Sequence, residues 1–159
     1  MSNAAVTIKL LHEVPLCIRD LAQIWLDELG GIWMPDTKKS EIEAWLQANL
    51  PEDSMPYTYV AFVGDRAVGM CSLGENDGIR FDLTPWLISL VVTKDYQKQG
   101  IGRMLIQANL EHAKLMGFQQ VYLFAFDKSV VEFYLALDWQ VIDKDTFAGH
   151  PVTVMVYLF

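Results

Sequence analysis

The chain has 159 residues, 52% of them hydrophobic and 20% charged. That is enough apolar matter for one domain, residues 1–159, with a true core, and too much for a disordered chain. A net charge of −8 argues against nucleic acid as a partner, because neutralising phosphates needs clustered Lys and Arg.

No apolar run approaches the roughly 18 residues that span a bilayer. The N-terminus lacks a charged region followed by a sustained apolar stretch, so neither a membrane partner nor a signal peptide is expected. Cys17 and Cys71 give no disulfide framework and no metal-ligand spacing. They read as packed thiols, consistent with a reducing, cytoplasmic setting. Charge is uneven along the chain: residues 1–82 carry 13 acidic and 6 basic side chains, residues 83–159 carry 7 and 6. The first half favours a cationic ligand or carries solvated helix faces.

Val6–Leu10 alternates and predicts a first strand. Residues 16–29 place Ile18, Leu21, Ala22, Trp25 and Leu29 at helical spacing, ended by Gly30-Gly31. Residues 39–50 predict a second helix, with Ser40 as cap and Pro51 beyond it. Residues 57–63 and 67–73 read as a hairpin turned at Gly64-Asp65-Arg66. Residues 74–85 form a loop, and 86–92 a strand apolar on both faces, hence central. The clearest helix is 101–116, with Ile101, Met104, Leu105 and Ala108 on one face and Gly117 past its end. A strand at 120–126, a helix at 129–137 and strands at 139–142 and 152–158 complete the chain. The order β-α-α-β-β-β-α-β-α-β-β predicts an α/β fold, a three-layer α/β/α sandwich with a mixed central sheet.

The most informative stretch is Gln97-Lys98-Gln99-Gly100-Ile101-Gly102-Arg103, between the central strand and the clearest helix. The first N–H groups of a helix have no intrahelical partner, and the helix dipole favours an anion there. Two glycines let a phosphate approach the main chain, and Lys98 and Arg103 add positive charge. There is no Gly-Lys-Ser/Thr, so this is not a Walker loop. Leu105 stands where the dinucleotide fingerprint needs a third glycine. On local evidence an ordinary strand-to-helix turn remains the alternative.

The pattern Gln97-x-x-Gly100-x-Gly102 resembles the acyl-CoA loop of the GNAT acetyltransferases, whose element order this chain also follows over nearly its whole length. A second motif agrees: Phe133-Tyr134 and Trp139 match the family's Phe/Leu-Tyr pair and the aromatic that follows. Asp127, Val130 and Asp138 stand where Asn, Ala and Gly are common. The stretch Asp82-Leu83-Thr84-Pro85-Trp86 is similar to the branch of aminoglycoside 6′-N-acetyltransferase-like proteins.

The resemblance implies acetyl-CoA as donor, no metal, and a small-molecule amine as acceptor. It implies that the main chain of Leu90, Val91 and Val92 holds the thioester and pantetheine. Residues 97–103 (Gln97, Lys98, Gln99, Gly100, Ile101, Gly102 and Arg103) would hold the pyrophosphate, with Asp127 and Phe133 along the CoA arm. Tyr134 would protonate the leaving thiolate, since a phenol with a reference pKa of about 10 is protonated at neutral pH. For the amine's proton, Glu75 and Asp82 are candidates, and a reaction without a dedicated base is the third alternative. Trp33, Asp82 and Trp86 are the expected acceptor contacts, Trp33 through a cation–π contact, while Trp25 and Trp45 read as helix packing. Family members are often dimers, so a homodimer is an expected state. A protein amine as acceptor and a non-catalytic acyl-CoA-binding domain are the competing readings.

Overall fold

A computed structural model describes residues 5–31 and 34–159. The elements are β1 (Val6–Leu10), α1 (Ile18–Trp25), α2 (Lys39–Ala48), β2 (Tyr57–Val63), β3 (Arg66–Gly74), β4 (Trp86–Val92), α3 (Ile101–Leu115), β5 (Gln120–Ala125), α4 (Lys128–Leu135), β6 (Gln140–Phe147) and β7 (His150–Leu158). They build one seven-stranded sheet in the order β1-β2-β3-β4-β5-β7-β6. Every neighbouring pair is antiparallel except β4 and β5.

The two faces of the sheet are covered separately, because side chains alternate along each strand. Val60 and Met70 turn to one face, where Leu21 and Ala22 of α1 and Ile42 and Leu46 of α2 bury them. Ala61 and Cys71 turn to the other, under Leu105, Leu110 and Ala113 of α3 and Tyr134 of α4. The result is the expected three-layer sandwich with a mixed sheet.

Several elements differ in detail from their sequence signal. Residues 26–30 continue α1 as a wider π-helical turn, which periodicity does not encode. Helix α2 starts after Lys38, whose backbone is extended, so Ser40 lies inside the helix rather than capping it. The buried stripe of α3 runs through Ile101, Leu105, Ile106, Leu110 and Ala113, while Met104 stays 39% exposed. Strand β6 extends to Phe147, well beyond the short apolar run expected. It is an edge strand exposed over most of its length, and the charged run Asp143-Lys144-Asp145 breaks the alternation that would mark it.

The site is positioned by an irregularity in β4. Register against β3 runs Ser72 to Ile88 and then Met70 to Val91, so β4 carries one extra residue there. Ser89 takes a positive φ of 54° at that bulge. Bulges bend the strand that carries them. Accordingly β4 pairs with β5 only at Trp86 and Tyr122, and beyond that point the two parallel strands diverge.

Candidate active site

The divergence opens a cleft of about 1270 Å³ between β4 and β5. One end is built by the turn after β4. Lys98 and Gly100 there have φ of 62° and 84°. Gly100 is the N-cap of α3 in the left-handed region, a conformation that costs glycine nothing. The first bond into the helix is Met104 N–H to Gly100 O, 3.1 Å, so the N–H groups of residues 101–103 lack intrahelical partners. A Cβ on Gly102 would meet nothing nearer than Val92 Cγ2 at 4.0 Å. The cleft reaches Lys98, Gly100, Gly102 and Arg103. Orphan donors, two cations and an open approach to the main chain fit a pyrophosphate.

The other residues of that turn have different employment. Gln97 donates from Nε2 to Val92 O at 2.9 Å and to Glu28 Oε2 at 3.3 Å, and Glu28 Oε1 accepts from Lys94 N–H at 3.2 Å. Gln97 lines the cleft, but its amide braces the loop against α1's extension. Gln99 is exposed, bonds to Asp95 O and does not line the cleft. The Ile101 side chain is 1% exposed in the core, leaving only its main chain for a ligand.

Along the middle of the cleft run Leu90, Val91 and Val92, with Asp127, Phe133 and Tyr134 on the α4 side. Asp127 caps α4 by accepting from Ser129 N–H at 3.1 Å, so its carboxylate is already engaged. Tyr134 is 6% exposed. Its ring meets Phe133 at 5.2 Å and Trp139 at 5.6 Å, both edge to face. Burial drives its hydroxyl well above the usual phenol value, with Cys71 adding to the shift, so it remains protonated throughout the neutral range.

The far end is closed by the loop 75–85, which leaves β3 at Gly74 opposite Trp86. Asn76 Nδ2 donates to Ile79 O at 2.7 Å and its Oδ1 accepts from Gly78 N–H at 2.6 Å. Arg80 reaches across to β6, with Nε to Asp145 at 2.6 Å and Nη2 to Asp143 at 2.7 Å. The Arg80 bond lowers the Asp143 carboxyl below its usual range, and Asp145 is lowered first by the Thr146 N–H and then by Arg80. Gly78 sits so close to Phe147 that a Cβ would stand 2.7 Å from the ring. Asp77 is thereby presented to the cleft. It keeps partial exposure there, yet the packing around it raises its pKa to about 8 by desolvation alone.

This arrangement redistributes the expected acceptor contacts. Glu75 and Asp82 are exposed and lie off the cleft wall. Trp86 is 0% exposed, with Nε1 donating to Leu83 O at 2.7 Å. It supports the loop from beneath and does not reach the cleft. Trp33 lies outside the described residues. Trp25 and Trp45, expected as packing, do pack, but they also line the cleft, and Trp25 Nε1 donates to Ser89 Oγ at 3.3 Å. The sequence reading missed Asp77. The triplet Asn76-Asp77-Gly78 is a strong turn signal and was the available hint that this carboxylate is held in place. Among the described residues no group of three His, Cys, Asp or Glu could hold a metal, and no helix is long and apolar enough to cross a membrane.

The family model of the acetyltransferase (GNAT) family matches residues 18–139. No curated protein matches the chain by sequence. Among solved structures, yncA from Salmonella typhimurium with its cofactor acetyl-CoA superposes at a TM-score of 0.76 and 17% identity, covering 98% of this chain and 94% of that one. An aminoglycoside 6′-N-acetyltransferase complexed with coenzyme A gives 0.75 and 16%, with 96% of each chain covered. A GNAT-family acetyltransferase from Streptococcus pneumoniae gives 0.70 and 18%, covering 98% and 100%.

Proposed function

Because the chain belongs to the acetyltransferase (GNAT) family, we propose that it moves an acetyl group from acetyl-CoA to the primary amine of a small cationic molecule. Transfer is by direct attack, with both substrates in the cleft. The observation that carries this reading is the divergence of β4 from β5 at Trp86. It opens one continuous cleft that runs from the start of α3 past Tyr134 to Asp77. Neighbours solved with acetyl-CoA and with coenzyme A support the donor.

Acetyl-CoA supplies an activated thioester carbonyl. The chain supplies its hold and a proton. The main-chain N–H groups of residues 101–103, with Lys98 and Arg103, take the pyrophosphate. The free edge of β4 at Leu90, Val91 and Val92 takes the pantetheine arm. Tyr134 donates its phenolic proton to the departing sulfur, a role that needs a group still protonated when the thiolate leaves. Phe133 and Trp139 fix its ring.

The test is thiol release from acetyl-CoA over a panel of 2-phenylethylamine, spermidine, kanamycin, an amino acid and a lysine peptide. Release that depends on a small amine supports the reading. Release only with the peptide would favour a protein acetyltransferase. Coenzyme A binding without release on any amine would leave a non-catalytic binding domain.

A further inference from the structure

We propose that Asp77 receives the ammonium of the acceptor and takes its proton, and that this acceptor is a primary ammonium carried on an apolar body. The inference rests on the acetyltransferase reading above and names the group that reading leaves unassigned.

Placement comes first. The pyrophosphate turn follows the C-terminal end of β4, whereas the loop 75–85 joins β3 to its N-terminal end. The seven residues of β4 separate the two by roughly 20 Å at about 3.3 Å per residue. Tyr134 lies between them along one cleft, in the same buried cluster as Cys71 of β3. Asp77 therefore stands at the end from which an acceptor approaches a thioester whose anionic tail is anchored at the opposite end.

Rigidity comes second. Asn76 ties the turn on both sides of Asp77, Gly78 abuts Phe147, and Arg80 is clamped to β6. Phe147 in turn packs against Phe124, ring centroids 4.9 Å apart at a tilt of 40°. A carboxylate on such a loop is aimed before any ligand arrives.

The missing partner comes third. Arg80, three residues on, is spent on Asp143 and Asp145. Among the described residues no hydrogen bond or ion pair reaches the Asp77 carboxylate. The groups around it do not supply a cation either. Cys71 on β3 is a thiol pushed up by burial, and Tyr134 on α4 is a neutral phenol. On α2, Glu41 lines the cleft with negative charge, and Phe147 on β6 is apolar. The remaining loop carboxylates, Glu75 and Asp82, point to solvent. Desolvation raises the pKa of this partnerless carboxylate to about 8, so above that pH it is ionised and suited to take a proton from an ammonium. The cleft walls include Trp25, Trp45, Ile42 and Phe147, so the body attached to the nitrogen is apolar.

The Asp77 carboxylate takes one proton from the ammonium, leaving the nitrogen lone pair free. A C–N bond forms at the thioester carbonyl and the C–S bond breaks. The nitrogen loses its second proton to solvent, the sulfur takes the Tyr134 proton, and solvent restores the phenol. Asp77 then releases its proton, for a net release of one.

The test uses Asp77→Asn, which keeps the side-chain shape, in the chain saturated with coenzyme A. Carboxyl ¹³C NMR of the parent should show one aspartate titrating near pH 8, absent in the variant. 2-Phenylethylammonium should move that titration to lower pH, because a bound cation favours the carboxylate. In turnover with 2-phenylethylamine, kcat/KM of the variant should fall about 10²–10⁴-fold and lose the rising limb of its pH profile. With β,β-difluorophenethylamine, a much weaker base of the same shape, the variant should recover to within about tenfold of the parent. Ordinary carboxyl titration at Asp77, no response to 2-phenylethylammonium, or equal loss with both amines would overturn the proposal. If the parent turns over neither amine, the apolar acceptor is wrong and the NMR titration decides whether Asp77 is an ammonium site; only silence toward every amine of the panel would sink the acetyltransferase reading itself.

Discussion

Replacing Gly102 by Glu separates coenzyme A binding from folding more cleanly than any other single change in the cleft. Gly102 is the second residue of α3, after the Gly100 cap. Its φ is not in the left-handed region, and a Cβ would touch only Val92 Cγ2 at 4.0 Å. The protein itself has room for a side chain. Leaving glycine in a helix gains up to about 1 kcal/mol, and an acidic residue in the first turn gains about 0.3–1 kcal/mol from the dipole. The variant should therefore melt at or slightly above the parent temperature. Binding moves the other way. A carboxylate about 5 Å from a pyrophosphate charge opposes it by about 3 kcal/mol at an effective dielectric of about 20, less what salt screens at an open rim. A net loss of about 2–3 kcal/mol corresponds to a Kd raised roughly thirty-fold to about 150-fold. Isothermal titration calorimetry with coenzyme A, alongside thermal melts, reads both quantities. Gly102→Gln supplies the size without the charge and should lose less, with a weaker dependence on salt. Unchanged affinity in a folded Gly102→Glu chain would refute the assignment of this turn to pyrophosphate.

Further outcomes follow from the same geometry. Tyr134→Phe keeps the ring contacts with Phe133 and Trp139 and removes only the hydroxyl, so kcat should fall about 10²–10⁴-fold with coenzyme A affinity unchanged; full turnover where chemistry limits the rate would assign the proton to another donor. Arg80→Ala releases the loop from Asp143 and Asp145, and amide exchange across residues 76–83 should accelerate while α3 is unaffected; unaltered exchange would show that Asn76 alone holds the loop. Asp77 is raised in the folded chain, so the fold keeps a proton that the unfolded chain has already lost between about pH 4 and pH 8. Stability is therefore lost by the parent as pH rises through that window, and Asp77→Asn escapes the loss. The melting temperature of Asp77→Asn relative to the parent should climb from pH 5 to pH 8.5, by about 1–3 kcal/mol in stability, roughly 2–12 °C for a chain of this size; a pH-independent difference would contradict the raised pKa.

The parts of this account legible in the sequence are those with a period. The apolar run 86–92 predicts a buried central strand, and burial of Trp86 follows from that reading more directly than from the acceptor role expected of it. The glycines of residues 97–103 announce a strand-to-helix turn, and Gly100 takes the left-handed conformation that turn requires. What the sequence does not display is which polar side chain folding consumes. Gln97 and Asp127 carry the right chemistry for a ligand, yet one braces its loop and the other caps a helix. Glu75, Asp77 and Asp82 are equivalent on paper. Only the Asn76 turn and an arginine bonded 65 residues away place Asp77 against the cleft and leave its neighbours in water. The bulge at Ser89 is equally silent, because Leu87–Val92 reads as an unbroken strand.

The central claim is acetyl transfer to nitrogen within this cleft. The measurement that meets it head-on is mass spectrometry of the acceptor after incubation of the chain with 2-phenylethylamine and acetyl-CoA labelled with ¹³C in its acetyl group. The account predicts labelled amide in equal amount to the thiol released, an unacetylated chain throughout, and loss of both products in Tyr134→Phe at early times. Thiol release without labelled amide, or labelled amide formed at the same rate without the chain, would contradict it.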